Sequence, residues 1–181
     1  MIWTRNLIFL VTILLAPSAF SSDGKNEKRE EREYDYHYEQ SMHIYRAERL
    51  GIRAFNEQNY SLAFDKLSFS ASKGLKNSQH YLGIMYLKGL HVPVSIETGM
   101  AWVGVGNEVE IKDWSILYSK IYSRLNNKQK LKVDKRVAEF KEKYGMEAQG
   151  IECGANLSAA IKRTSRFRCK KSSKSVLWIE E

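Results

Sequence analysis

Apolar residues recur at helical spacing along most of the chain. Ile44, Ala47, Leu50, Gly51 and Ala54 predict a first helix over residues 42–56. Leu62, Ala63, Leu67, Phe69 and Ala71 predict a second over 60–72, which Gly74 ends. Tyr81, Leu82, Met85 and Tyr86 share one stripe of a third helix, 77–89, stopped by Gly89. The Val92-Pro93 step prevents an immediate restart, and Ser95 is the expected N-cap of a fourth helix carrying Met100, Ala101 and Trp102. Trp114, Ile116, Leu117, Ile121 and Leu125 predict a helix over 112–125. Asn126 then caps a last one, in which Leu131, Val133, Val137, Phe140 and Tyr144 recur and whose reverse is charged, until Gly145 ends it. Gly83 lies mid-helix, where glycine costs about 1 kcal/mol against alanine. Its presence predicts a neighbouring helix in very close contact.

Two of these segments repeat. Tyr60 aligns with Ile96, Ala63 with Gly99, Phe64 with Met100 and Leu67 with Val103, each about 36 residues apart, a period typical of stacked helix pairs. The chain thus reads as two helix-pair units, 42–74 and 77–108, with the helices of 112–145 capping the open end.

The residues Leu82-Gly83, Met85-Tyr86, Gly89, Val92, Ala101 and Trp102 resemble the Sel-like repeat family, relatives of the tetratricopeptide repeats. His91 stands where that family usually has a second glycine, Ser95 where it often has aspartate, and Gly99, Gly104 and Gly106 where it prefers alanine. The resemblance implies an all-α fold, a short right-handed αα-hairpin solenoid, and a general role in protein interaction. It also implies a partner-binding concave face made by the helices 42–56 and 77–89. Off the core stripe, that face offers Arg46, Arg49, Arg53, Gln79, His80 and Lys88, and arginines on successive turns suit an acidic segment.

Composition and charge add the termini. Two prolines and many leucines, lysines and glutamates fit an all-helical class, and the net charge of +8 favours acidic partners. Residues 1–21 read as a signal peptide: Arg5 precedes an apolar run from Leu7 to Leu15, too short to span a bilayer core of roughly 30 Å. Cleavage is expected after Ser18 or Ser21, which places the mature chain in a periplasmic or extracellular compartment. Residues 22–40 read as a charged, solvated linker, 41–146 as the repeat domain, and 147–181 as a basic tail. Tyr34, Tyr36, Tyr38 and Tyr45 read as wet helix edges rather than a stacking platform. The tail holds both cysteines, Cys153 and Cys169, which export favours as a disulfide, and alternation around Phe167 hints at short strands. Lys162, Arg163, Arg166, Arg168, Lys170, Lys171 and Lys174 follow one another with no acid between them. An anionic envelope polymer or lipid is the alternative partner such a run would attract; no specific nucleic acid is implied.

No catalytic motif is present. There is no phosphate loop, dinucleotide fingerprint, HExxH or nucleophile elbow, and His37, His43, His80 and His91 show no metal-ligand spacing. No cofactor or metal is expected. Some cysteine-rich Sel-like repeat proteins are associated with β-lactam binding or hydrolysis, but they carry cysteines inside the repeats; here both lie outside. The expected function is therefore non-enzymatic contact, with self-association to lengthen the repeat array left open.

Overall fold

The computed structural model describes residues 23–155 and 167–171. The expected signal peptide lies outside them, as do Trp178 and the tail cations Lys162, Arg163, Arg166 and Lys174. The chain divides into two units, Met1–Tyr36 and His37–Glu181. In its described part the first unit is helical, and the second holds the rest of the architecture.

The first helix, α1, runs Asp23–Asn56, so the segment expected to be a linker is helical from Asp23 onward. Its charge pattern lacks an apolar period, which reads as solvated coil. Yet Lys25 to Leu50 contains no glycine or proline, and Glu, Lys and Arg are strong helix formers. Propensity prevails here without an apolar stripe.

The following helices start and stop where local chemistry directs. In α2 (Tyr60–Ser72), Asn59 caps the N-terminus by accepting from Leu62 N–H at 3.3 Å, and Gly74 leaves with a φ of 89°. Helix α3 (Lys76–Lys88) ends at Gly89 in the left-handed region, with its N–H on the Met85 carbonyl. Ser95 caps α4 (Ile96–Gly106), accepting from Thr98 N–H at 3.2 Å. A single 3₁₀ turn, Asn107–Val109, leads into α5 (Lys112–Tyr122). Asn126 opens α6 (Asn127–Tyr144) with a reciprocal capping box: Asn126 accepts from Gln129 N–H at 2.9 Å, and Gln129 accepts from Asn126 N–H at 3.0 Å. The fold is predominantly α-helical.

Helix α4 is enclosed: every residue from Gly99 to Gly106 is buried. It packs on α3 along one side and on α6 along another. Its glycines make that possible. A Cβ on Gly99 would meet Leu87 Cγ at 2.6 Å and the Gly83 carbonyl at 3.0 Å, and one on Gly104 would reach Val137 Cγ2 at 3.0 Å. The glycines of this helix therefore serve close contact.

One apolar core runs through Ala54 of α1, Ala63, Leu67 and Ala71 of α2, Leu82 and Met85 of α3, and Trp102 of α4, with Phe140 and Tyr144 of α6 against it. A second cluster joins Met100, Leu125 and Val133. A third joins Ile44, Leu75 and Ile151, so the start of the tail is packed onto the helices. There β1 (Ile151–Ala155) pairs antiparallel with β2 (Phe167–Lys171), and the register sets Cys153 directly across from Cys169. Of the tail cations, Arg168, Lys170 and Lys171 lie in β2.

Candidate functional site

The arginines predicted to face a partner separate from the polar residues predicted beside them. Arg46, Arg49, Arg53 and Lys88 are exposed. Gln79 and His80 are not: they are 0% and 8% exposed, and neither offers its side chain to a partner.

The cause lies at the start of α3, where helix ends converge. Gln79 Nε2 donates to the Ala71 carbonyl at the end of α2 (3.0 Å) and to the Tyr144 carbonyl at the end of α6 (2.8 Å). Lys76 Nζ donates to Gln79 Oε1 (3.0 Å), to the Val105 carbonyl at the end of α4 (3.3 Å) and to Glu108 Oε2 (2.7 Å). Glu108 Oε2 also accepts from Met146 N–H at 2.9 Å. The last carbonyls of a helix lack intrahelical partners and carry partial negative charge, so a buried cation and an amide at their meeting point satisfy both needs. Burial pushes the Lys76 ammonium below its usual pKa, and Glu108 works against that shift. This hub is structural, and it joins residues as far apart in sequence as Gln79 and Tyr144.

His80 stacks on Trp114 of α5, with ring centroids 4.2 Å apart and planes 9° from parallel. Its Nδ1 is buried and has no hydrogen-bond partner among the described residues. Burial lowers its pKa to about 4, so the ring is neutral at pH 7.

One of the exposed arginines, Arg46, lines a cleft between α1 and α2. About 280 Å³ of space is lined by His43, Arg46, Ala47 and Leu50 of α1 and by Asp65, Lys66 and Phe69 of α2. On α1, positions 43, 46, 47 and 50 fall on one helical face. Leu50 and Phe69 remain 39% and 36% exposed, and Met42 37%. The His43 ring meets Phe69 edge-on at 5.2 Å. Leu50 thus sits at the rim rather than within the core stripe where its spacing placed it. Arg46 and Lys66 supply positive charge at the walls, Asp65 supplies the acid, and Arg49 is exposed one turn from Arg46. Arg53 is paired with Glu57 at 2.9 Å, which lowers its availability. Lys88 is exposed at the far end of α3 and does not line the cleft.

The cleft adds His43 and Lys66, and Phe69, expected among the buried positions of α2, lies instead at its surface. A signal existed: Ala63, Leu67, Ser70 and Ala71 are buried, and Phe69 falls out of phase with them. An aromatic off the buried period of a helix marks an exposed apolar position.

The lining can hold an apolar side chain at Leu50 and Phe69 and pair an anion at Arg46 or Lys66. Among the described residues no group of three or more His, Cys, Asp or Glu is placed to hold a metal ion, and no helix is long and apolar enough to cross a membrane. No family model matches the chain, and no curated protein or solved structure matches it.

Proposed function

We propose that this protein is a non-enzymatic interaction module that takes an acidic, amphipathic segment of another protein into the α1–α2 cleft. The observation that carries it is the pairing of exposed Leu50 and Phe69 with the cationic walls Arg46 and Lys66. An apolar anchor set among charges of one dominant sign gives affinity from burial and orientation from charge.

Sequence and geometry support assigning the helix pairs to a short Sel-like repeat solenoid. Gly83 and Gly99 make the tight contact expected within a repeat pair, and His91 has a φ of 68° at the position where that family usually carries glycine. The apolar run Leu7–Leu15 supports an exported, envelope or extracellular location. In that setting the Cys153–Cys169 register supports a disulfide closing the tail.

Reversing two charges tests the cleft. Arg46→Glu with Arg49→Glu should leave the circular dichroism spectrum unchanged, because both side chains are exposed. A synthetic acidic amphipathic helix peptide, labelled for fluorescence anisotropy, should bind the natural protein in a salt-sensitive way and lose at least tenfold with the variant. Equal binding to both would remove this cleft as the site.

A further inference from the structure

A second cleft, of about 620 Å³, opens between the end of α4, the 3₁₀ turn, α5 and α6. It shares no lining residue with the α1–α2 cleft. Its size falls within the range of small-ligand sites.

Opposite charges stand on its walls. Glu108 and Glu110 come from the 3₁₀ turn and the residue that closes it, and Lys141 comes from α6. Glu110 and Lys141 are exposed, and neither forms an ion pair among the described residues. Glu110 is held in a left-handed conformation, φ 53°, an unusual one for a residue with a side chain. Glu108 is fixed by Lys76 and Met146 N–H, both of which bond its Oε2. Its position is therefore set before any ligand arrives, which reduces the ordering cost of binding.

The remaining walls add one apolar surface and one polar floor. The Tyr118 ring and Val137 approach Gly104, where a Cβ would lie 3.0 Å from Val137 Cγ2 and 3.2 Å from Tyr118 Cε2. Ser115 Oγ donates to Asn107 Oδ1 at 2.8 Å and ties α5 to the turn. Burial, aided by Asp134 and Tyr122, raises the Tyr118 hydroxyl pKa to about 12, so the wall stays neutral.

We propose that this cleft binds a short zwitterionic peptide, with its ammonium at Glu108 and Glu110, its carboxylate at Lys141 and an apolar side chain against Tyr118 and Val137. A purely anionic ligand would meet the carboxylate of Glu110, and a purely cationic one would meet Lys141. A ligand bearing both charges satisfies each wall, and the volume suits a dipeptide better than a single small amino acid.

The test uses the full chain and three probes: the dipeptide Gly-Phe, its N-acetyl form without the ammonium, and its C-terminal amide without the carboxylate. Binding is followed by ¹H–¹⁵N spectra. Gly-Phe should shift the amides of 104–118 and 137–141 saturably, and each blocked form should bind three- to tenfold more weakly. Lys141→Met should abolish discrimination against the amide, and Glu110→Gln should reduce discrimination against the acetyl form. Both side chains are exposed, so unchanged spectra elsewhere will confirm folding. Absence of saturable shifts, or equal binding of all three probes, would overturn the proposal.

Discussion

Gly83 and Gly99 meet across the α3–α4 contact. A Cβ on Gly83 would lie 2.9 Å from the Gly99 carbonyl oxygen, and a Cβ on Gly99 would lie 3.0 Å from that of Gly83. Each glycine is the reason the other helix can come so near. Gly83→Ala should therefore destabilise the protein, although alanine is the better helix former. The added methyl would also meet Val103 Cγ2 at 2.6 Å and Val103 N at 2.9 Å, and backbone cannot yield cheaply. Overpacking of this kind costs about 1–3 kcal/mol, more than the roughly 1 kcal/mol gained in propensity. Urea unfolding should show a lower midpoint; a raised midpoint would refute the close contact.

This contact was legible from sequence, since a mid-helix glycine with no turn to make needs a packing reason. The ends of α2, α3 and α6 were legible too, because Gly74, Gly89 and Asn126 act on their own neighbours. The first turns of α1 were misread, because a charge run without apolar period looks like coil even when its residues favour helix. Gln79 and His80 were misplaced for a different reason. Their partners, Tyr144 and Trp114, lie far along the chain, and no local pattern shows that a polar residue will serve the ends of other helices.

The hub around Lys76 should behave as a unit. Lys76→Met leaves Glu108 without its cation and takes the side-chain donor from the Val105 carbonyl. Removing one member of a buried ion pair typically costs about 3–5 kcal/mol. Glu108 is partly exposed, with 19% of its side chain accessible, so the lower part of that range applies. Glu108→Gln added to Lys76→Met should recover part of the loss, because the uncompensated charge is gone. A double-mutant cycle by urea unfolding checks this. Strictly additive losses would mean that the pair is not coupled.

His80 should make the fold sensitive to acid. Its folded pKa, about 4, lies below the unfolded value of about 6.5, so the unfolded chain binds the extra proton first. Stability contributed by the neutral ring is full above pH 6.5 and is lost as pH falls toward 4. The loss is on the order of 3 kcal/mol by that shift. Burial raises the Glu48 carboxyl pKa, partly opposed by hydrogen bonds from Ser78 and Asn77, and a raised carboxyl acts in the opposite sense. The His80 share is therefore read as a difference from His80→Phe, which preserves a ring on Trp114 and cannot titrate. The natural protein should lose more stability than the variant between pH 6.5 and 4; parallel curves would contradict the buried neutral histidine.

The Cys153–Cys169 register predicts an intramolecular crosslink in the oxidised protein. Non-reducing peptide mapping should recover the two cysteines in one linked fragment. A closed loop of roughly 15 residues is worth about 3 kcal/mol by chain entropy. Because Ile151 packs with Ile44 and Leu75, reduction should loosen α1 around Ile44 as well as the tail. Hydrogen exchange near residues 44 and 75 reads that coupling. Unchanged exchange there would confine the crosslink's effect to the tail.

Truncating the tail to test binding would also uncover Leu75, so point probes on the intact chain are preferable. The most direct measurement is photocrosslinking from an engineered residue at position 69, beside the α1–α2 cleft, in envelope fractions. The control position is 131, where Leu131 is 71% exposed on α6. A discrete protein adduct from 69, absent from 131 and lost with Arg46→Glu and Arg49→Glu, is the predicted result. Equal labelling from both positions, or adducts indifferent to the arginines, would contradict an interaction module built on this cleft.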